Sequence, residues 1–286
     1  MREYRPLARY SHTRKRSSIV GSLCDNRPVS RLKAVEGNPD FVLSLARGLE
    51  VIEAFEDRPD GVTVGDVAAR TGLSRAAVRR LLITLELRGY ASHNGSVYRL
   101  STRTLRLGFS FLSSSSLSVL ALPILEEISA LIHESSSMSM LEGDEIVYLA
   151  RSATQRVMSV GLSVGSRLPA YCTSMGRVML AAMTREDFTA YLRRIELKKR
   201  TPKSITRKTA FAAELERVRQ QGYALVDEEL ELGLRSLAVP VRSRSGKVVA
   251  AINTGVQAAR SSAPEMIERF LPVLREGAER LSIALP

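Results

Sequence analysis

An α+β protein of two unequal parts is predicted by two runs of pattern in this chain of 286 residues. The first run is three short helical periodicities followed by a hairpin signal, which together make a small winged helix-turn-helix unit. The second, about 170 residues long, interleaves strands with helices, the pattern of a curved and largely antiparallel sheet with helices packed around it. Four consecutive serines, Ser113 to Ser116, separate the two and mark the domain boundary.

The elements follow in order. Met1 to Gly37 carry nine Lys/Arg against three Asp/Glu and show no hydrophobic periodicity, so residues 1–37 are expected to form a flexible basic arm. Its composition suits a DNA-touching arm and an incidental start equally. From Asp40 the apolar residues Phe41, Leu45, Leu49, Ile52 and Phe55 recur at helical spacing and define one stripe, which Asp57, Pro59 and Gly61 end. Thr63, with Asp66 three residues later, opens a short helix that stops at Gly72. Ser74 caps the next helix, which runs to Arg88, with Gly89 placed to take a left-handed conformation after it. Tyr90 to Ser92 and Val97 to Leu100 then flank His93-Asn94-Gly95-Ser96, where the Asn-Gly pair signals a hairpin. Ser101 can cap a further helix through about Leu112.

Beyond the serines, Leu117 to His133 reads as a helix containing Pro123, and Met138 to Leu141 with Glu145 to Leu149 as a hairpin around Gly143. Val157 to Leu162, Ala224 to Asp227, Leu237 to Val241 and Val248 to Thr254 read as strands, Gly246 turning the last pair. Helices are expected at Met175 to Met183, Arg185 to Arg194, Ala210 to Gln221 and Pro264 to Ile283.

Within the first part, Val64 to Leu82 has the spacing of a helix-turn-helix. Ala68 is the small residue at the helix crossing, Gly72 makes the turn, and Val67, Leu73, Val78 and Leu81 form a mini-core. The opposite face leaves Ser74, Arg75, Ala76, Arg79 and Arg80 for a partner, at the start of a helix whose side chains reach base edges in a major groove. Arg75 and Arg79 are four apart and share a face. His93 and Asn94, at the wing tip, are placed to reach an adjacent minor groove or a phosphate, or to stand as a plain exposed turn. The net charge of +12 fits a polyanionic partner.

Composition narrows the remaining classes. The two cysteines, Cys24 and Cys172, form no CxxC pattern, so neither a disulfide framework nor a metal site is suggested. No apolar run approaches the roughly 20 residues of a membrane span, and a cytoplasmic protein without membrane partner is expected. A hydrolase using Cys172 or Ser174 as nucleophile would need a neighbouring base. The three histidines, His12, His93 and His133, lie in the arm, the wing and a helix past the boundary, and no GxSxG stretch is present. No enzyme activity, catalytic residue or cofactor is therefore expected.

Several segments in order carry a resemblance to a known family: "SLARGLEVIEAF", the helix-turn-helix, "YRLSTRTLRLG", "GSRLPAYCTSMGRVMLAA", and "GYALVDEELELGLRSLAVPV" followed by "GKVVAAINTG". From Asp40 onward the chain resembles the isocitrate-lyase-regulator (IclR) family of bacterial transcription factors. The resemblance implies a winged DNA-binding domain at 38–100, a linker helix at 101–116, and a GAF-like effector-binding and oligomerisation domain at 117–286. It also implies a homodimer or tetramer on double-stranded, pseudo-palindromic operator DNA. "PAYCTSMGRV" and "DEELELGLRSLAVP" are most similar to regulators of aromatic-acid catabolism through the β-ketoadipate pathway. Protocatechuate, 4-hydroxybenzoate, catechol-derived acids and β-ketoadipate are thus the leading effectors, and a glyoxylate- or pyruvate-responsive regulator is the alternative.

Tyr171, Cys172, Thr173, Ser174, Met175 and Gly176 lead into a predicted helix whose first amides lack intrahelical partners and attract anions. On residue types alone the segment also reads as a helix cap, Ser174, beside a core filler, Cys172. Its place in the family pattern favours an effector cradle. Arg235, Ser236 and Asn253 are further polar residues among apolar strands, Arg167 is a candidate partner for an acid, and Val226 stands where some relatives have an acidic residue.

Overall fold

The computed structural model describes residues 40–56, 58–108, 116–153 and 161–285. The expected arm and most of the expected strand at Val157 to Leu162 lie outside them; Gly161 and Leu162 carry no strand.

The first unit runs α1 (Leu43–Glu53), β1 (Val62–Thr63), α2 (Val64–Thr71), α3 (Arg75–Leu87), β2 (Ala91–Asn94) and β3 (Val97–Leu100). Local chemistry fixes the ends of these elements. Thr63 and Asp66 close a full capping box, the Thr63 N–H donating to Asp66 Oδ2 at 2.8 Å and the Asp66 N–H to Thr63 Oγ1 at 3.2 Å. The Thr63 hydroxyl, then its amide, hold the Asp66 carboxyl below the usual carboxylate range. Gly72 ends α2 with φ 71°, a left-handed conformation that costs glycine least, and Ser74 Oγ accepts from the Ala77 N–H at 3.3 Å to start α3. A Schellman motif ends α3: the Gly89 N–H reaches Glu86 O and the Tyr90 N–H reaches Leu85 O, both at 2.8 Å. Val51, Phe55, Val62, Val67, Val78, Leu82 and Tyr98 fill the core.

Three expectations change here. Of the stripe foreseen here only Phe55 reaches this core: Leu45 and Leu49 are 62% and 49% exposed, while Val51 and Ala54, which lie off that stripe, are buried. The helix carries two apolar faces, and only the second is covered in the single chain. The hairpin turn is Gly95-Ser96 rather than Asn94-Gly95: Asn94 pairs with Val97 and Gly95 takes φ 63°. Glycine therefore sits first in the two-residue turn, as one mirror-image turn type requires. A third strand, β1, pairs with β3 and was too short to leave a sequence pattern. After the wing, Ser101 caps a 3-10 turn (Thr102–Thr104) before helical backbone at 105–108, so the expected linker helix is described only over its first half.

The second unit contains α4 (Ser116–Ile132), β4 (Ser135–Glu142), β5 (Glu145–Ser152), β6 (Arg167–Pro169), α5 (Ser174–Ala181), α6 (Arg185–Arg194), α7 (Lys208–Gln221), β7 (Ala224–Asp227), β8 (Leu234–Arg242) and β9 (Val248–Gln257). Ala263–Glu265, a π turn at Met266–Phe270 and α8 (Leu271–Ala284) complete it. The π turn, in which the Leu271 N–H reaches back to Met266 O, precedes Pro272, which has no N–H to give. The six strands form one curled antiparallel sheet in the order β6-β5-β4-β9-β8-β7. Helices α4 and α8 cover one face through Ile128, Leu274 and Leu281, against Leu237, Val239 and Ile252. The other face, with Ile146, Tyr148, Ala238 and Ala251, is covered by α5, α6 and α7.

Candidate DNA-reading and effector sites

On the first unit, α3 and the wing enclose a cleft of about 510 Å³ lined by Gly65, Arg75, Arg79, His93, Gly95 and Tyr98, among others. Arg75, Ala76, Arg79 and Arg80 are all exposed, while the core-side neighbour Val78 is buried. Arg75 and Arg79 line the cleft and point the same way, as an i, i+4 pair must. The Ser74 hydroxyl is committed to capping. His93 is not a free wing-tip side chain: its Nδ1 lies 2.5 Å from Glu86 Oε1, in the last turns of α3, and its ring stacks on Tyr98 at 5.4 Å between centroids. Asn94 is exposed beside it. The unit thus holds guanidinium groups and a short ribbon on one rigid surface, the arrangement that reads a groove and grips the adjoining backbone.

On the second unit, strand register decides which polar residues share a face. Arg151, Ser137, Asn253 and Ala238 are successive cross-strand partners across β5, β4, β9 and β8. Ala238 packs beneath α5, so all four lie on the α5 side. Ser139 and Ser236 fall on the same side by alternation. The start of α5 lies over this polar floor: the buried Ser139 hydroxyl donates to Met175 Sδ at 3.2 Å.

Arg151 reaches this face through an irregularity. Met138 pairs with Ala150 but Ser139 pairs with Tyr148, so Leu149 is an extra residue in β5. Such a bulge re-aims everything beyond it. Without it, alternation from Tyr148 would send Ala150 to the floor and Arg151 to the opposite face. Arg151 Nη1 donates to Ser137 Oγ at 3.2 Å. Burial pushes the Tyr148 phenol up to about 12, and the Arg151 charge pulls the other way.

The segment before α5 is tightly built. Thr173, not Ser174, is the N-cap, accepting from the Gly176 N–H at 3.3 Å. Gly176 is required by close approach, because a Cβ there would lie 2.2 Å from Ala170 O. Ser174 Oγ is buried with no hydrogen-bond partner. The Tyr171 hydroxyl donates to Lys198 O at 3.0 Å. Burial raises the Cys172 thiol to about 11, against the pull of Arg200 and Arg177, which leaves almost no thiolate at neutral pH. Among the described residues the histidines stand elsewhere, His93 in the wing and His133 at the end of α4, and no group of three His, Cys, Asp or Glu converges to hold a metal.

Two expected effector residues are not brought to this floor. Arg167 pairs with Glu142 and Glu145 at 2.8 and 3.0 Å; its neighbour Leu168 packs under α5, so Arg167 faces away. Arg235 donates to Asp227 Oδ1 at 2.8 Å and to the carbonyls of Ala258 and Ser261, on the face of Leu237 and Val239. Sequence reasoning also missed the fully buried Arg177, whose Nη1 and Nη2 donate to the two oxygens of Glu229 at 2.7 and 2.6 Å and whose Nε donates to Tyr171 O at 3.0 Å. Glu229 in turn accepts the Ile205 N–H at 3.1 Å. The only signal for this pair was an arginine one residue after Gly176 inside an otherwise apolar helix.

Residues 44–95 match the IclR helix-turn-helix domain, and residues 109–283 match the C-terminal domain of the bacterial transcriptional regulator IclR. The chain is 49% identical over 248 residues to the Pca regulon regulatory protein of Pseudomonas putida, covering 86% of this chain and 85% of that protein. It is 38% identical to the p-hydroxybenzoate hydroxylase transcriptional activator of Acinetobacter baylyi, over 85% of this chain and 91% of that one. Among solved structures, an IclR homolog complexed with 4-hydroxybenzoate from Microbacterium hydrocarbonoxydans is similar with a TM-score of 0.74 and 26% identity, covering 85% of this chain and 98% of that one.

Proposed function

The chain belongs to the IclR family of bacterial transcriptional regulators, and from that membership we propose that it switches genes of aromatic-acid catabolism in response to a small aromatic or dicarboxylic acid of the β-ketoadipate pathway. The observation that carries this reading is the near-half identity, over most of both chains, with a Pca regulon regulatory protein. Geometry supports it at both ends. Arg75 and Arg79 share the cleft beside the wing and are the residues proposed to contact operator DNA, with Ala76, Arg80 and Asn94 at its margins. Ser137, Asn253, Ser236 and the start of α5 are proposed to hold the effector, a polar floor under apolar walls suited to an aromatic acid. Val226, buried on that same side, supplies no acidic group there, which argues against a glyoxylate- or pyruvate-like ligand. The exposed Leu45 and Leu49 on α1 suit coverage by a second copy in a cytoplasmic homo-oligomer. No described helix is long and apolar enough to cross a membrane.

The test is thermal melting of the purified chain against protocatechuate, 4-hydroxybenzoate and β-ketoadipate, with pyruvate and glyoxylate as controls. Binding at 100 times the dissociation constant stabilises the fold by about 2.7 kcal/mol. A saturable rise with protocatechuate, 4-hydroxybenzoate or β-ketoadipate is the expected result. A rise with pyruvate or glyoxylate alone removes the aromatic class and leaves the regulator.

A further inference from the structure

We propose that Arg151 is the residue that makes the effector site select a carboxylate over its uncharged isosteres, an assignment that rests on the effector reading above. Three other arginines packed on or against the sheet are already engaged. Arg167 is held by two carboxylates on the far face, Arg235 by Asp227 and two carbonyls, and Arg177 by both oxygens of Glu229. Arg151 alone among these four has no carboxylate partner among the described residues; its hydrogen bond goes to the neutral Ser137 hydroxyl.

The bulge at Leu149 turns it onto the floor beside Ser137 and Asn253, below the start of α5. A half-buried guanidinium facing hydroxyls and an amide has lost part of its hydration without gaining an opposite charge. A ligand carboxylate supplies that charge and matches the planar fork through two parallel N–H bonds. Ser174 adds a second, independent observation: a hydroxyl in the first turn of α5, buried and without a partner, is a group built to bond something the chain itself does not provide. The acid end of the ligand therefore lies toward β5, and the remainder runs along the floor toward Asn253 and Ser236.

The experiment is calorimetric titration of the full chain with 4-hydroxybenzoate and protocatechuate and with their amides, 4-hydroxybenzamide and 3,4-dihydroxybenzamide. The wild-type chain is expected to prefer acid to amide by tenfold or more, as hydrogen bonds to charged groups imply. Arg151→Gln should weaken the acids about tenfold or more while leaving the amides within a few-fold, collapsing the ratio. Arg151→Lys keeps the charge without the fork, so it should keep a preference for acid at reduced affinity; it serves as the reading variant if Arg151→Gln does not fold. Arg167→Gln should leave the ratio where it was. An acid-to-amide ratio that survives in folded Arg151→Gln, or that falls in Arg167→Gln instead, overturns the assignment. A wild-type chain that binds none of the four probes while still binding operator DNA overturns the aromatic reading on which it rests.

Discussion

The winged unit and the effector unit are held together by different kinds of information. In the first, neighbours in sequence do the fixing: Thr63 with Asp66, Ser74 with Ala77, Gly89 with Glu86. In the second, the polar face beneath α5 is set by partners far apart in the chain, such as Ser137 beside Asn253 and Arg177 against Glu229. The difference teaches that a short unit can be stabilised by caps and turns, whereas a sheet site exists only once remote strands have found their register.

The sharpest break in this contrast is Arg177→Ala. Removing one partner of a fully buried ion pair leaves Glu229 uncompensated and should cost about 3 to 5 kcal/mol, read as a large fall in melting temperature by scanning calorimetry. An unchanged melting temperature would mean that the pair contributes nothing to the second unit. Next in size come Arg75→Ala and Arg79→Ala, each expected to weaken operator binding by about 1 to 3 kcal/mol with melting unaltered. Fluorescence anisotropy on operator and scrambled duplexes separates a base reader, which loses discrimination, from a phosphate contact, which weakens both equally. Wild-type affinity in both variants would remove α3 from the interface.

The smallest effect isolates the local device itself. Thr63→Ala should cost about 1 kcal/mol through loss of the cap. It also has a pH signature. Asp66 is depressed in the folded chain, so its contribution is fully present above the ordinary carboxylate range and is lost as pH falls below that range through its lowered value. Melting curves between neutral and acid pH should converge for the two proteins at the acid end. Parallel curves would show that the capping box adds no acid-sensitive stability.

Legibility in the sequence follows the same division. Capping residues, the turn glycine and helical spacing announced α2, α3 and the wing because each signal lies within a few residues of what it fixes. Five helices and most of the strands of the second unit were visible as periodicity. Which polar residue faces which side was not. Arg167 and Arg235 read as partners for an acid because an arginine among apolar strands shows no sign of the Glu142, Glu145 or Asp227 waiting beside it. Ser137 hid in a serine-rich stretch just ahead of the strand expected from Met138. Arg151 could not be found by alternation at all, because one extra residue reverses the count. The exposed face of α1 misled in the other direction, being apolar without belonging to the core.

Tyr171 and Glu229 tie the start of α5 to a distant stretch of the chain. The Tyr171 hydroxyl holds the carbonyl of Lys198, 27 residues further on, and Glu229 holds the amide of Ile205. The chain between those two points is therefore a strap on the outside of the domain whose ends are moored to the start of α5 and its partner. Any ligand that steadies that helix should slow the exchange of the Ile205 amide with solvent deuterium, an expectation that hydrogen exchange with and without 4-hydroxybenzoate checks.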